Sequence, residues 1–422
     1  MTGQQDETNS GTASRGKRVT WVELYFDLIF VFAVGQVTHA IVVEPRWGRV
    51  LAALGLFAAL WWTWIGFAVL YNRRGDDRRA SHRLFVLAGT VPCAIAATQA
   101  HHVFEGHPGA FALALAGARL VLAAAHTLAA PGEREVRRIG LAYALSAVLF
   151  AVSAALPQPW CYALWAIALL QEGGVLLLGE RRDRAWHFMA RRDAHRPRRT
   201  RMAALRSQFA PPSNPAQAVD AAHLSERFGL FMIILLGELV ITVGTAALDR
   251  PEQDLAYWLS VVGGLVLAAA LWWVYFASAA DLNERMLSMS GGNPALAYSL
   301  YAAGHLTPAF ALVVIAAGVN LSLHEDPPGT AAWFITAGLT IYLGGTRVFS
   351  SGARRWYTPL VRLAAIAATV DLALLERVLI APAVVAVAAG WAVGAAVVVT
   401  VSQRGALRRL EKDPVAFFRD AS

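Results

Sequence analysis

The sequence predicts an all-α polytopic membrane protein with about twelve transmembrane helices, arranged as two parallel six-helix repeats. Three observations carry this prediction. The 422-residue chain is 57% hydrophobic and only 16% charged, with a mean hydropathy of +0.46, whereas soluble domains carry about 25% charged residues. Its apolar stretches reach the ~20 residues needed to cross a bilayer. Lys and Arg gather in alternate loops, as membrane topology requires, so the net charge of +8 does not point to nucleic acid.

The elements follow in order. Residues 1–20 are polar, end in a basic cluster and read as a disordered cytoplasmic tail with no cleavable signal peptide. The first membrane half, 21–180, holds spans near 22–43, 50–71, 83–104, 110–130, 138–157 and 161–180. A basic cytoplasmic linker covers 181–222, and its segment 210-APPSNP-215 disfavours one continuous helix. The second half, 223–403, holds spans near 224–247, 256–279, 295–321, 331–350, 358–378 and 380–402, followed by a tail at 404–422. Asp371, Glu376 and Arg377 make the 358–378 span unusually polar. The basic loops place both termini in the cytoplasm. The stretch 181–201 is suited to anionic lipid headgroups. Cys93 and Cys161 sit in apolar runs, too few and too deep for a disulfide framework or a zinc site.

The repeat rests on matches in one order, at offsets of about 200 to 230 residues. Glu23 matches Glu226. Trp61–Trp62 and Asn72 match Trp272–Trp273 and Asn283. The segment 89-GTVP-92 matches 305-HLTP-308, and Arg119 matches Arg347. An even number of spans per half makes such repeats parallel, related by an axis along the membrane normal.

Chemistry is sought among the ionisable groups inside spans, because each costs roughly 2.5–3.5 kcal/mol at a bilayer centre on insertion scales. Glu23 and Asp27 lie four apart on one helix face. Glu23 reads as an interfacial charge favoured by the helix dipole. The deeper Asp27 reads as a functional acid or one with a buried partner. Glu238, twelve residues beyond Glu226 and about 18 Å deeper, is the strongest single candidate. Gln36, Glu172 and Asp371 complete the polar candidates for substrate or ion binding. Arg119 and Arg347 are the candidate counter-charges. Glu226 and Arg227 mark a helix end, and Trp62 and Trp273 belong to aromatic pairs suited to interhelical packing. The lone histidines His126, His223 and His305 read as packed, hydrogen-bonded side chains, and His39 as an interface residue. No metal-ligand spacing occurs, and the sequence points to no particular cofactor.

The strings 23-ELYFDLIFVFA-33 and 226-ERFGLFMIILLGE-238 resemble the two signatures of the bacterial low temperature requirement protein A (LtrA) family. With the Trp-rich spans between them the resemblance covers nearly the whole chain. It implies a multi-pass protein of the bacterial inner membrane, linked by name to growth in the cold, and supplies no agreed molecular activity. A looser likeness links 26-FD-27 to the F-S-D motif of a potassium channel family with two six-helix halves. Gly229–Leu230 stand at that place in the second half, so this likeness is analogy only.

The expected function is transport of an ion or small solute along a path between the halves. Asp27 and Glu238 would bind a cation or exchange protons by alternating access. Two other readings stay open: a membrane-embedded enzyme acting on a lipid or isoprenoid, which lacks a clustered metal or nucleophile motif, and a structural or regulatory membrane protein. The bilayer is the expected partner, and the oligomeric state is open.

Overall fold

The computed structural model describes residues 17–76, 78–129, 134–174, 211–212, 218–346 and 380–412. The basic stretch 181–201, Arg347, Asp371 and the predicted span 358–378 lie outside these. All regular structure among the described residues is helical. The helices are α1 (Trp21–Val43), α2 (Trp47–Arg74), α3 (Ala80–Phe104), α4 (Gly109–Ala129), α5 (Arg134–Ser153) and α6 (160–174) in the first part of the chain. The second part contributes α7 (Ala221–Asp249), α8 (Leu255–Met289), α9 (Pro294–Ser322), α10 (Thr330–Gly345) and α11 (Ala381–Lys412). Nine of the described helices are long and apolar enough to cross a membrane; α10 is shorter, and the predicted spans 161–180 and 331–350 are described only in part. With no water in a bilayer core, backbone groups are satisfied within helices, which explains the single type of element.

Local sequence sets the helix ends. Glu23 reaches back to accept from the Thr20 backbone N–H at 3.1 Å, forming one half of a capping box for α1. Asp220 caps α7 by accepting from His223 N at 3.0 Å, and Asp254 caps α8 by accepting from Tyr257 N at 2.8 Å. Asn293 precedes Pro294 at the start of α9 and accepts from Ala295 N at 3.0 Å. Arg73 and Arg74 close α2 at the dipole's negative end.

The eighth predicted span is longer than its expected 256–279. It continues through a π-helical turn at Tyr275–Ala280 into Asp281–Met289. A second π-helical turn, Tyr298–Ala303, lies near the start of α9. Such turns shift backbone carbonyls out of the regular ladder. One of them, Ala302 O, accepts from the indole Nε1 of Trp61 on α2 at 2.9 Å.

Helix α9 is the hub. Every residue from Pro308 to Val319 is buried, the pattern of a helix enclosed by protein on all sides. It packs closely against α10, and also against α7 and α1. Glycines allow the α9–α10 approach: a Cβ on Gly318 would lie 2.9 Å from Ala331 O, and one on Gly338 would lie 3.0 Å from Ala311 O. Small residues of this kind let helices meet where apolar burial gives no advantage over lipid. Around the hub, α1 packs beside α3 and α7 beside α9, while α1 and α7 pack against each other. That α1–α7 seam positions the site.

The matched tryptophans differ in setting. Trp61 is buried and Trp62 half-buried, whereas Trp272 and Trp273 are 41% and 49% exposed. Interhelical packing describes the first pair, with Trp64 buried beside Trp61. In the second, Trp273 Nε1 donates to Thr400 Oγ1 on α11 at 2.8 Å, and Trp272 lies against Phe276.

Candidate functional site

Two side chains four apart on α1 face two side chains four apart on α7. The helical period puts each pair on one face, one turn apart. Arg227 therefore meets both acids: its guanidinium lies 2.8 Å from Glu23 Oε1 and 2.8 Å from Asp27 Oδ1. The contact to Asp27 is a directed hydrogen bond, while that to Glu23 is an ion pair bent away from hydrogen-bond geometry. His223 Nε2 stands 3.2 Å from Glu23 Oε2. Trp64 Nε1 donates to Asp27 Oδ1 at 2.6 Å, and the guanidinium sits 5.8 Å from the Trp64 ring centre. Glu23, Asp27, His223 and Arg227 are each 0–1% exposed.

The network continues toward the end of the bundle where α1 begins, called the near face below. Asn72 Nδ2 lies 3.0 Å from His223 Nδ1 and donates to Asp220 O at 2.9 Å, while Asp220 N donates to Asn72 Oδ1 at 3.1 Å. Lys17 crosses above, its backbone N–H donating to Asp220 Oδ2 at 3.4 Å and its ammonium to Gly75 O at 2.8 Å. Thus α1, α2, α7 and the residues before α1 are tied at one place. Burying charges is costly, and they persist when each has a partner. Here one guanidinium and one imidazole answer two carboxylates. Asp27 Oδ2 has no hydrogen-bond partner among the described residues.

Farther along the seam lies a cavity. Eleven residues beyond Arg227, about 16 Å along the helix, Glu238 faces a cavity of about 540 Å³ between α1 and α7, which Asn320 of α9 also lines. Glu238 is 8% exposed, and its Oε1 accepts from Thr242 Oγ1 at 3.1 Å. Gln36, Thr38, His39 and Thr245 supply further polar groups to the same cavity. Directly opposite the carboxylate lies Gly35, where a Cβ would sit 3.3 Å from Oε1.

A third polar cluster is internal to the first part of the chain. Arg119 Nε on α4 donates to Glu172 Oε1 on α6 at 3.2 Å, Arg119 also donates to Thr63 Oγ1 on α2, and its guanidinium lies 4.8 Å from the Phe150 ring centre. Both ionic side chains are buried.

The candidate residues are therefore distributed differently from the sequence expectation. Glu23, Asp27 and Arg227 come together, as do Gln36 and Glu238. Arg119 is not a counter-charge to Asp27 or Glu238, because Glu172 holds it. Asp27 does not share a cavity with Glu238, being enclosed by Arg227 and Trp64. Glu226, the match of Glu23, is exposed and accepts from Val19 N at 3.2 Å. Trp62 lies edge-on to Tyr298 at 5.6 Å. Sequence reasoning missed Arg227 as the counter-charge and His223 and Trp64 as partners of the acids. The signal for Arg227 and His223 was present: their spacing of four repeats the spacing of Glu23 and Asp27.

Long apolar helices with buried ion networks between them define a multi-pass α-helical membrane protein. The sequence model of the bacterial low temperature requirement A protein matches residues 18–401, and the chain belongs to that family. An uncharacterized protein of Rhizobium meliloti (strain 1021) is 25% identical over 340 residues, covering 78% of this chain and 76% of that protein. No solved structure matches the chain.

Proposed function

We propose that the protein moves a small cation, or a solute coupled to one, across the bacterial inner membrane along the α1–α7 seam. The observation that carries this reading is Glu238: a carboxylate deep in α7 that faces a cavity lined by hydroxyl, amide, imidazole and apolar side chains. An acid at such depth needs a partner or a task, and no Lys or Arg is among the cavity-lining residues. The other end of the same seam is closed by the Glu23–Asp27–Arg227–His223 network. A cavity on one side of an ionic closure suits alternating access.

The reading includes two related halves. The first residues of the two signatures, Glu23 and Glu226, are 203 positions apart, and so are Gly35 and Glu238, which face each other. In-register parallel packing of α1 and α7 about an axis along the membrane normal accounts for both. The near face is then cytoplasmic, as the basic loops require.

The test is flux into proteoliposomes of purified protein under cation and pH gradients. Wild type is expected to show a saturable flux that Glu238→Gln abolishes and Asp27→Asn reduces. Equal flux in wild type and both variants removes these acids from the mechanism.

A further inference from the structure

We infer that the Glu238 cavity is a binding site for a small organic ammonium ion, one positive charge carried on an apolar body. This deepens the transport reading and depends on it for the ligand's passage, but not for its binding. Three features of the cavity select this class.

The first is charge. Among the described residues Glu238 is the one acid lining the cavity, and its Oε1 is engaged by the Thr242 hydroxyl. Gly35 stands against the carboxylate, where an added methyl group would lie 3.3 Å from Oε1 and crowd it. One carboxylate matches one positive charge and strengthens any N–H···O bond made to it.

The second is the polar complement. A hard divalent cation takes six to eight oxygen ligands, several of them carboxylate, and a dehydrated alkali ion needs a comparable oxygen cage. Among the described residues the cavity offers a single carboxylate. An ammonium group needs only up to three acceptors, which Glu238 and the side-chain carbonyls of Gln36 and Asn320 provide.

The third is the wall. Phe32, Leu28 and Ile241 present hydrocarbon to the cavity, and an aromatic ring is itself attractive to ammonium ions. The volume of about 540 Å³ falls within the range of small-molecule sites, more than a bare inorganic ion fills.

The experiment is isothermal titration calorimetry on the full chain in nanodiscs, with n-butylammonium chloride as probe. Butanol at the same concentration tests the apolar body alone, and NaCl and KCl at matched ionic strength test charge alone. The expected result is saturable binding of butylammonium only, weakened at least about tenfold in Glu238→Gln. Gly35→Ala, which adds one methyl group against the carboxylate, is expected to weaken binding too and serves as an independent variant should Glu238→Gln fold poorly. Equal binding to wild type and both variants, saturable binding of Na⁺ or K⁺ instead, or no binding of the probe overturns the inference. Flux of protons or Na⁺ in proteoliposomes without butylammonium binding keeps the transport reading and overturns this one. Glu238-dependent butylammonium binding without any flux keeps the site and overturns transport.

Discussion

At the scale of residues, the protein is organised by who answers whom among buried charges. Arg227 answers Glu23 and Asp27, and Glu172 answers Arg119. Glu238 is answered by Thr242 alone among the described side chains. Removing one member of a buried ionic set costs about 3–5 kcal/mol because the others stay buried without it. Arg227→Met is therefore expected to lower the thermal stability of the detergent-solubilised protein sharply. Adding Asp27→Asn should recover much of the loss, since Glu23 then keeps His223 as its partner; a double variant as unstable as the single one contradicts the assignment. The sequence singled out Asp27 and Glu238, but it offered Arg119 as their counter-charge, and Arg119 pairs with Glu172 instead. Arg119 and Arg347 drew attention as arginines inside apolar spans, whereas Arg227 sits in a motif at a helix start and read as an end marker. Which arginine meets which acid depends on helix rotation and neighbour order, and hydropathy does not encode either.

At the scale of elements, packing in this molecule relies on small residues and on side chains that satisfy displaced backbone groups. The α9–α10 contact depends on Gly318 and Gly338. Gly338→Leu is expected to push the helices apart at a cost of about 1–3 kcal/mol, read as a lower melting temperature, while Gly344→Leu, where an added Cβ meets nothing within 4 Å, should change little. The π-helical turn at Tyr298–Ala303 leaves Ala302 O to the Trp61 indole. Trp61→Phe keeps the ring and removes the donor, so it should cost about 1 kcal/mol, the scale of hydrogen bonds inside membranes; no change in stability would show that this carbonyl needs no donor. Helix positions were legible in the sequence because apolar runs of spanning length leave few alternatives. The π-helical turns were not, since Tyr275–Ala280 and Tyr298–Ala303 carry no composition that separates them from regular helix. Nor did the Trp61–Trp62 and Trp272–Trp273 match foretell that the first pair is more deeply packed and the second outward-facing.

At the scale of the whole molecule, α1 and α7 form a seam that is held by ions at one end and carries a cavity with a carboxylate farther along. The two family signatures supply both ends: Glu23 and Asp27 with Arg227 at the near face, and Glu238 opposite Gly35 farther along. The family resemblance singled out both segments, although it could not show that Gly35 and Glu238 touch. The central claim is that the ends of this seam open in alternation. The direct measurement is labelling of Thr242→Cys, in a chain whose buried Cys93 and Cys161 are replaced by Ala, with a membrane-impermeant maleimide in sealed vesicles of known orientation. Position 242 is expected to label from the far side when the network is intact. Its labelling from that side should fall, and labelling from the near side should rise, when Asp27→Asn and Arg227→Met together undo the latch. Unchanged far-side labelling in the unlatched protein would contradict the claim.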